Sequence, residues 1–207
     1  MPQPPLHLTS IIHSGGQWLS KILTYGMQFS ENVVIDNNYE SNTLYYNHTT
    51  LDKIPFKKSN VAVILRDPRD CCVMAARACS NPKTELRRLI KQGSPDPAWH
   101  RSYMKYYNKV SHWRFSYEEL QVDPIPIFKF LIHYKYLYSA DLVRQEYERR
   151  DCLQCKIECD YHYLGKERIE PMVKSGLLSL WQDVFTDEQR EEYLNLHSDL
   201  LKVFGYI

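Results

Sequence analysis

The stretch IIHSGGQWLSKIL, Ile11 to Leu23, passes from apolar residues through Ser14-Gly15-Gly16 into a helical pattern. Upstream, Leu6 to Ile12 is short, apolar and β-branched, with prolines before it and glycines after it, which predicts a buried strand. Downstream, the spacing of Trp18, Ile22 and Tyr25 predicts a helix that begins directly after the glycine turn. A strand, a tight turn and a helix start in this order expose backbone N–H groups at the positive end of the helix dipole, which suits a phosphate or sulfate oxyanion. Ser14 and Gln17 add side-chain donors. A plain strand-to-helix turn would explain the two glycines but not those two residues. The loop is not a Walker A motif, because G-x-x-x-x-G-K-[ST] is absent.

Working outward, ENVVI (31–35) predicts a second strand, followed by a polar Asn/Tyr/Thr stretch to about residue 52. NVAVIL (60–65) is the clearest buried strand. Pro68 then sits where a helix can start, with Cys72, Ala75, Ala76 and Cys79 on one face. Ser94-Pro95-Asp96-Pro97 breaks the chain ahead of a helix over 98–110 and a short strand, Trp113 to Ser116. Asp123-Pro124 introduces an apolar run over 125–138, Ser139 is placed to cap a helix reaching toward Cys152, and Thr186 to Gln189 has the form of a capping box, with Gly205 past the helix end. Strands alternating with helical patterns predict an α/β domain, a three-layer α/β/α arrangement with a central parallel sheet.

At 207 residues the chain predicts one domain, 1–207. The 26 Lys and Arg balance 25 Asp and Glu to a net charge of +1, so the basic bias of nucleic-acid binders is absent and an anionic ligand must be held by a local cluster. No membrane-length apolar run and no signal-peptide pattern occurs, which predicts a soluble, cytoplasmic protein. Adjacent Cys71-Cys72, nearby Cys79 and three cysteines between 152 and 159 predict reduced thiols. Sixteen tyrosines suggest stacking surfaces or an aromatic-lined pocket.

VAVILRDPRDCCVMAAR (61–77) places Arg66 and Arg69 on the turn after a buried strand, where a planar guanidinium fork suits bidentate phosphate contact. The alternative is a solvated cluster in which Arg66 and Arg69 pair with Asp67 and Asp70. RFSYEELQVDP (114–124) ends a strand in Tyr117 and Glu118, and an ordinary strand end with a surface acid explains it equally.

Together these blocks resemble the 3′-phosphoadenosine-5′-phosphosulfate (PAPS)-dependent sulfotransferases, in particular the cytosolic and bacterial small-molecule enzymes. His13-Ser14-Gly15-Gly16-Gln17-Trp18 is similar to that family's K-S-G-T-T-W loop, and the strand running into Arg66-Asp67-Pro68-Arg69-Asp70 is similar to its R-[DN]-P-[RK]-D motif. Tyr117-Glu118-Glu119-Leu120 resembles Y-E-[DE]-L, and KSGLLSLWQDVFTDEQ (174–189) resembles the C-terminal R-K-G-x-x-G-D-W block, with Lys174 and Ser175 replacing Arg and Lys and Gly176 and Trp181 retained. Four blocks in family order span residues 11 to 189. The resemblance implies a P-loop NTPase-like fold and a donor held by Ser14, Gly15, Gly16 and Gln17 at its 5′ end. It also implies contacts of Arg66 and Lys174 at the 3′-phosphate, of Trp18 and Tyr117 at the adenine, and of Ser175 and Gly176 with the cofactor. The implied product is 3′-phosphoadenosine 5′-phosphate (PAP), and the implied partner a small-molecule hydroxyl or amine acceptor, with no nucleic acid and no membrane.

YYNHTTLDKIP (45–55) resembles the family's T-H-[LF]-P segment, which makes His48 the expected general base, against the alternative of a surface histidine with no role. The chain departs from the family twice. His13 stands where a Lys or Arg neutralises the leaving oxygens, and could serve if a neighbouring phosphate raises its pKa; Lys21, a turn away, is another source of charge. Met74 stands where a phosphate-binding Ser is usual. These departures set a catalytically impaired, nucleotide-binding or interaction protein beside the enzyme, while a nucleotide kinase is disfavoured by the missing Walker lysine. Tyr45 and Tyr103 to Tyr107 are expected to line an acceptor pocket. Cys152, Cys155, Cys159 and His162 have the spacing of a zinc site or of one face of a packed helix, and no metal is expected.

Overall fold

The computed structural model describes residues 2–32, 40–54, 57, 59–109, 111–149 and 179–207. Five parallel strands form its sheet: β1 Leu6–Ser10, β2 Ser30–Asn32, β3 Thr43–Asn47, β4 Asn60–Leu65 and β5 Trp113–Ser116, ordered β2-β3-β1-β4-β5. The helices are α1 Gly16–Met27, α2 Pro68–Arg77, α3 Pro82–Gln92, α4 Pro97–Tyr106, α5 Tyr117–Val122, α6 Ile125–His133, α7 Ala140–Glu148, α8 Leu180–Val184 and α9 Asp187–Phe204. A 3-10 turn covers Leu51–Lys53.

Alternation along the central strands builds a core on each face of the sheet. In β4, Ala62 and Ile64 face one cluster with Leu6 and Leu8 of β1, Leu19, Ile22 and Leu23 of α1, and Phe130 of α6. Val61, Val63 and Leu65 face the other cluster with Trp99 and Tyr103 of α4 and Leu200 and Phe204 of α9. α2, α3, α8 and α9 enclose a third cluster around Val73, Leu89 and Tyr193. This is the expected three-layer α/β/α arrangement. α1 approaches α7 closely through Gly26, where an added Cβ would lie 2.4 Å from Val143.

One device starts three helices in succession. Asp67-Pro68, Asn81-Pro82 and Asp96-Pro97 each place an N-cap acceptor before a proline at the first helical position, and the side chains accept from Arg69, Thr84 and Trp99 backbone N–H respectively. The same logic, without proline, lets Ser139 accept from Leu142 N and gives Thr186 and Gln189 their capping box, both as expected.

Several expectations require correction. β1 stops at Ser10 instead of Ile12, because the chain turns there. The polar stretch before residue 52 contains β3, whose Thr43, Leu44 and Tyr45 are buried between β1 and β2. The apolar run from Ile125 is helical only to His133. Tyr45 and Tyr103, expected at an acceptor pocket, are core residues at 1% and 0% exposure, and Tyr103 stacks on Trp99 with ring centroids 5.3 Å apart.

Candidate active site

β1 and β4 are neighbours in register, Ser10 beside Ile64, so their C-terminal ends emerge side by side. α1 then packs into the first cluster and α2 into the second and third. The two chains diverge toward opposite faces of the sheet, leaving a crevice at the strand ends, the usual ligand position in open α/β folds.

The turn after β1 is tightly shaped. His13 and Gly15 both have left-handed backbone angles, φ 67° and 83°. Ser14 Oγ donates to the Ile11 carbonyl at 2.7 Å, so its side chain closes the turn. Gly15 is the N-cap of α1, with no side-chain cap and no acid in the first turn. Gln17 is exposed. Both glycines are required by packing: a Cβ on Gly15 would meet the Tyr117 ring at 2.6 Å, and one on Gly16 would meet Ser10 Oγ at 2.2 Å.

Arg66 joins the two strand ends. Its Nη1 donates to the His13 carbonyl at 3.0 Å, its Nη2 lies 3.7 Å from Asp70 Oδ2, and its guanidinium sits 4.4 Å from the Tyr117 ring centroid. Arg69 makes a bidentate pair with Asp67 and lies 3.8 Å over the Trp181 ring. The Arg-Asp pairing of the alternative reading is therefore present, but Arg66, Asp67 and Asp70 are buried and do not form a solvated cluster. Asp70 accepts from Ser179 and Trp181 backbone N–H groups, which ties the start of α8 to this crevice. Burial pushes the Asp70 carboxyl up, against the pull of Arg66 and the two N–H donors.

Glu118 is not a surface acid. It accepts from Asp67 N–H at 3.0 Å, from the Ser116 hydroxyl at 3.0 Å and from the Tyr206 hydroxyl at 2.7 Å, locking the ends of β4, β5 and the chain together. No sequence signal marked that role, since two of its three partners lie 51 and 88 residues away.

Two histidines flank the turn. His48 is exposed beyond β3 and its Nδ1 donates to the Ser10 carbonyl at 2.7 Å. A carbonyl only accepts, so Nδ1 carries a proton, and in the neutral tautomer this fixes, Nε2 is the acceptor. His13 is half-buried, and burial, Arg66 and His48 together bring its pKa down to about 4. Trp18 is half-buried in the first cluster, 5.6 Å from Tyr147 between centroids, with its indole N–H buried and without a hydrogen-bond partner. Met74 packs on the third cluster.

Lys174, Ser175 and Gly176, and the Cys152, Cys155, Cys159 and His162 set, lie outside the described residues. Cys71, Cys72 and Cys79 are free thiols, and the described residues contain no cluster able to hold a metal.

The same arrangement of strands and helices recurs in solved structures. Mouse sulfotransferase SULT7A1 complexed with PAP superposes with TM-score 0.74 at 15% identity over 96% of this chain and 84% of its own. The fold is the sulfotransferase fold. Two structures of retinol dehydratase follow. One, with retinol and PAP, has TM-score 0.65 at 14% identity over 97% of this chain and 82% of that one. The other, with androsterone and inactive cofactor PAP, has TM-score 0.62 at 13% identity over 98% and 82%. No family model and no curated protein matches the sequence. No described helix is long and apolar enough to cross a membrane.

Proposed function

We propose that the protein transfers a sulfuryl group from 3′-phosphoadenosine-5′-phosphosulfate to a hydroxyl or amine of a small molecule. The observation that carries this is the 3.0 Å bond from Arg66 to the His13 carbonyl, which brings the two phosphate-type motifs to one crevice. Support also comes from the solved structures of the same fold that hold PAP.

In this scheme the uncapped N-terminus of α1 and the Ser14–Gln17 turn receive the 5′ end of the donor, and Arg66 with Lys174 the 3′-phosphate, while Ser175 and Gly176 belong to the same cofactor site. Tyr117, already stacked between Gly15 and Arg66, forms the floor near the adenine, beside Trp18. The donor supplies the sulfuryl group and PAP as leaving group. Sulfuryl transfer needs in-line geometry, neutralisation of the leaving oxygens and removal of the acceptor proton. His48 meets the last need: its Nδ1–H is fixed on Ser10, so Nε2 accepts the proton from the acceptor as its oxygen or nitrogen bonds to sulfur.

Titration calorimetry with PAP tests donor binding, and a transfer assay with radiolabelled donor over a panel of phenols, alcohols and amines tests turnover. Binding together with transfer that His48→Gln abolishes is the expected result; no PAP binding refutes the proposal. A second reading is favoured by His13 and Met74, which replace a charge and a hydroxyl of the family pattern: a nucleotide-binding protein without turnover. PAP binding with no transfer to any acceptor would select it. A cytoplasmic location is part of the proposal.

A further inference from the structure

On the outer side of the second helical layer, α4, α9 and the end of α3 enclose an open groove of about 440 Å³. None of the residues assigned above to the donor or the acceptor proton lines it. His100 does, and it is unusual. It is 4% exposed, packs edge-on against Phe204 with centroids 5.0 Å apart, and neither ring nitrogen has a hydrogen-bond partner. Buried polar groups are nearly always paired, so a buried imidazole at a groove wall with both nitrogens bare of protein partners has hydrogen-bonding capacity to offer a molecule in the groove. A half-turn about χ2 exchanges ring carbons and nitrogens with no backbone movement, so the ring can present an N–H to the groove.

The rest of the lining specifies what that partner is. Arg101 and Lys105 lie one helical turn apart on α4, both exposed, and among the described residues neither forms an ion pair. Like charges at this spacing repel one another unless an anion sits between them. No acid lines the groove, while Met104 and Leu200 give it an apolar wall. His197, the remaining imidazole, is already committed: its Nε2 donates to the Ile90 carbonyl at 2.8 Å, and the helix leaves regular geometry there at φ −134°, ψ 22°.

We propose that this groove is a second ligand site, for a small organic anion with an apolar body. The charged end would lie between Arg101 and Lys105, the body on Met104 and Leu200, and an acceptor atom on His100. A sulfate ester and an aromatic carboxylate share this chemistry. The site is independent of the donor crevice and stands even if no sulfuryl transfer occurs.

The test uses the full chain, alone and with excess PAP present, with imidazole nitrogens followed by NMR while 2-naphthyl sulfate, 2-naphthoate, 2-naphthol or inorganic sulfate is added. Both naphthyl anions are expected to shift the His100 resonances. The neutral naphthol and the bare sulfate, each lacking one half of the recognition, are expected to bind at least about tenfold more weakly. A larger effect of the sulfate ester than of the carboxylate, or the reverse, identifies the preferred source. Arg101→Gln with Lys105→Gln, both on the surface, is expected to weaken the naphthyl anions about tenfold, and His100→Phe to weaken them while keeping the fold. Unmoved His100 resonances, or unchanged affinity in the double variant, overturns the proposal.

Discussion

If the donor's 5′ end lies against the turn after β1, binding must be linked to protonation of His13. In the free protein, burial, Arg66 and His48 hold that imidazole at a pKa of about 4, so it is neutral at pH 7. An anion placed beside it favours the protonated form. A return only to the ordinary value of 6.5 amounts to about 3.4 kcal/mol of added attraction in the protonated state. Because the ligand raises the pKa, binding takes up a proton and tightens as pH falls. Between pH ~7.5 and ~5.5 the His13 contribution to PAP affinity should rise about tenfold, with nearly one proton taken up at His13 per PAP bound at the lower pH.

Calorimetry in two buffers of different ionisation enthalpy measures the net proton exchange, and the difference between the wild type and His13→Asn isolates that proton. PAP loses charge near pH ~6 as its phosphates protonate, which acts in the opposite direction. The control is therefore the ratio of wild-type affinity to that of His13→Asn, a residue that also tolerates the left-handed backbone at this position. The ratio should grow about tenfold over the range, and His13→Lys should bind tightly with little dependence on pH. A constant ratio and no proton uptake would refute the placement of the anion beside His13.

Acid should also unfold the protein early. His7, His13 and His100 have folded pKa values of about 4, 4 and 3, lowered chiefly by burial, so their contribution is complete above pH 6.5 and is lost as pH falls from there toward 4. Each costs about 2 kcal/mol by pH ~5, partly offset by Asp70, whose raised pKa acts the other way. Urea midpoints measured between pH ~7.5 and ~5 check this, and His100→Phe should flatten the dependence. Gly16→Ala drives a methyl group into Ser10 and Tyr46 and should cost about 1–3 kcal/mol in the same assay. A variant as stable as the wild type would show that those side chains shift freely.

What could be read from the sequence depended on how local its cause is. β4 and β5 are found where their apolar patterns predicted, and the caps at Ser139 and Thr186 work within three residues of themselves. α3 had signals of the same kind, Asn81-Pro82 at its start, Leu86, Leu89 and Ile90 on one face and Gly93 at its end, that were not assembled into a helix. β3 has few aliphatic residues, and its burial comes from its position between β1 and β2. At the site, the glycine turn and Arg66 were placed by motif. That Arg66 would be buried, and that Glu118 would join Asp67 to Tyr206, follows from chain ends meeting in space and has no local signature.

The charge balance of the crevice sharpens the question of what binds there. PAP brings two phosphates, each carrying about −1.5 to −2 charges at neutral pH. The two arginines nearest the turn offer less than they seem to from sequence: Arg69 is neutralised by the bidentate Asp67, and Arg66 faces Asp70, which cannot turn away because it holds Ser179 and Trp181. The α1 dipole adds about half a charge at its N-terminus. On the proposed placement of the donor, binding would lean on a charge that arrives with the ligand, the proton taken up by His13, and on Lys21, one turn into α1. A sulfotransferase that keeps its loop lysine has that charge at every pH. Here it is conditional on His13 holding a proton, so both donor affinity and neutralisation of the leaving oxygens should weaken as pH rises.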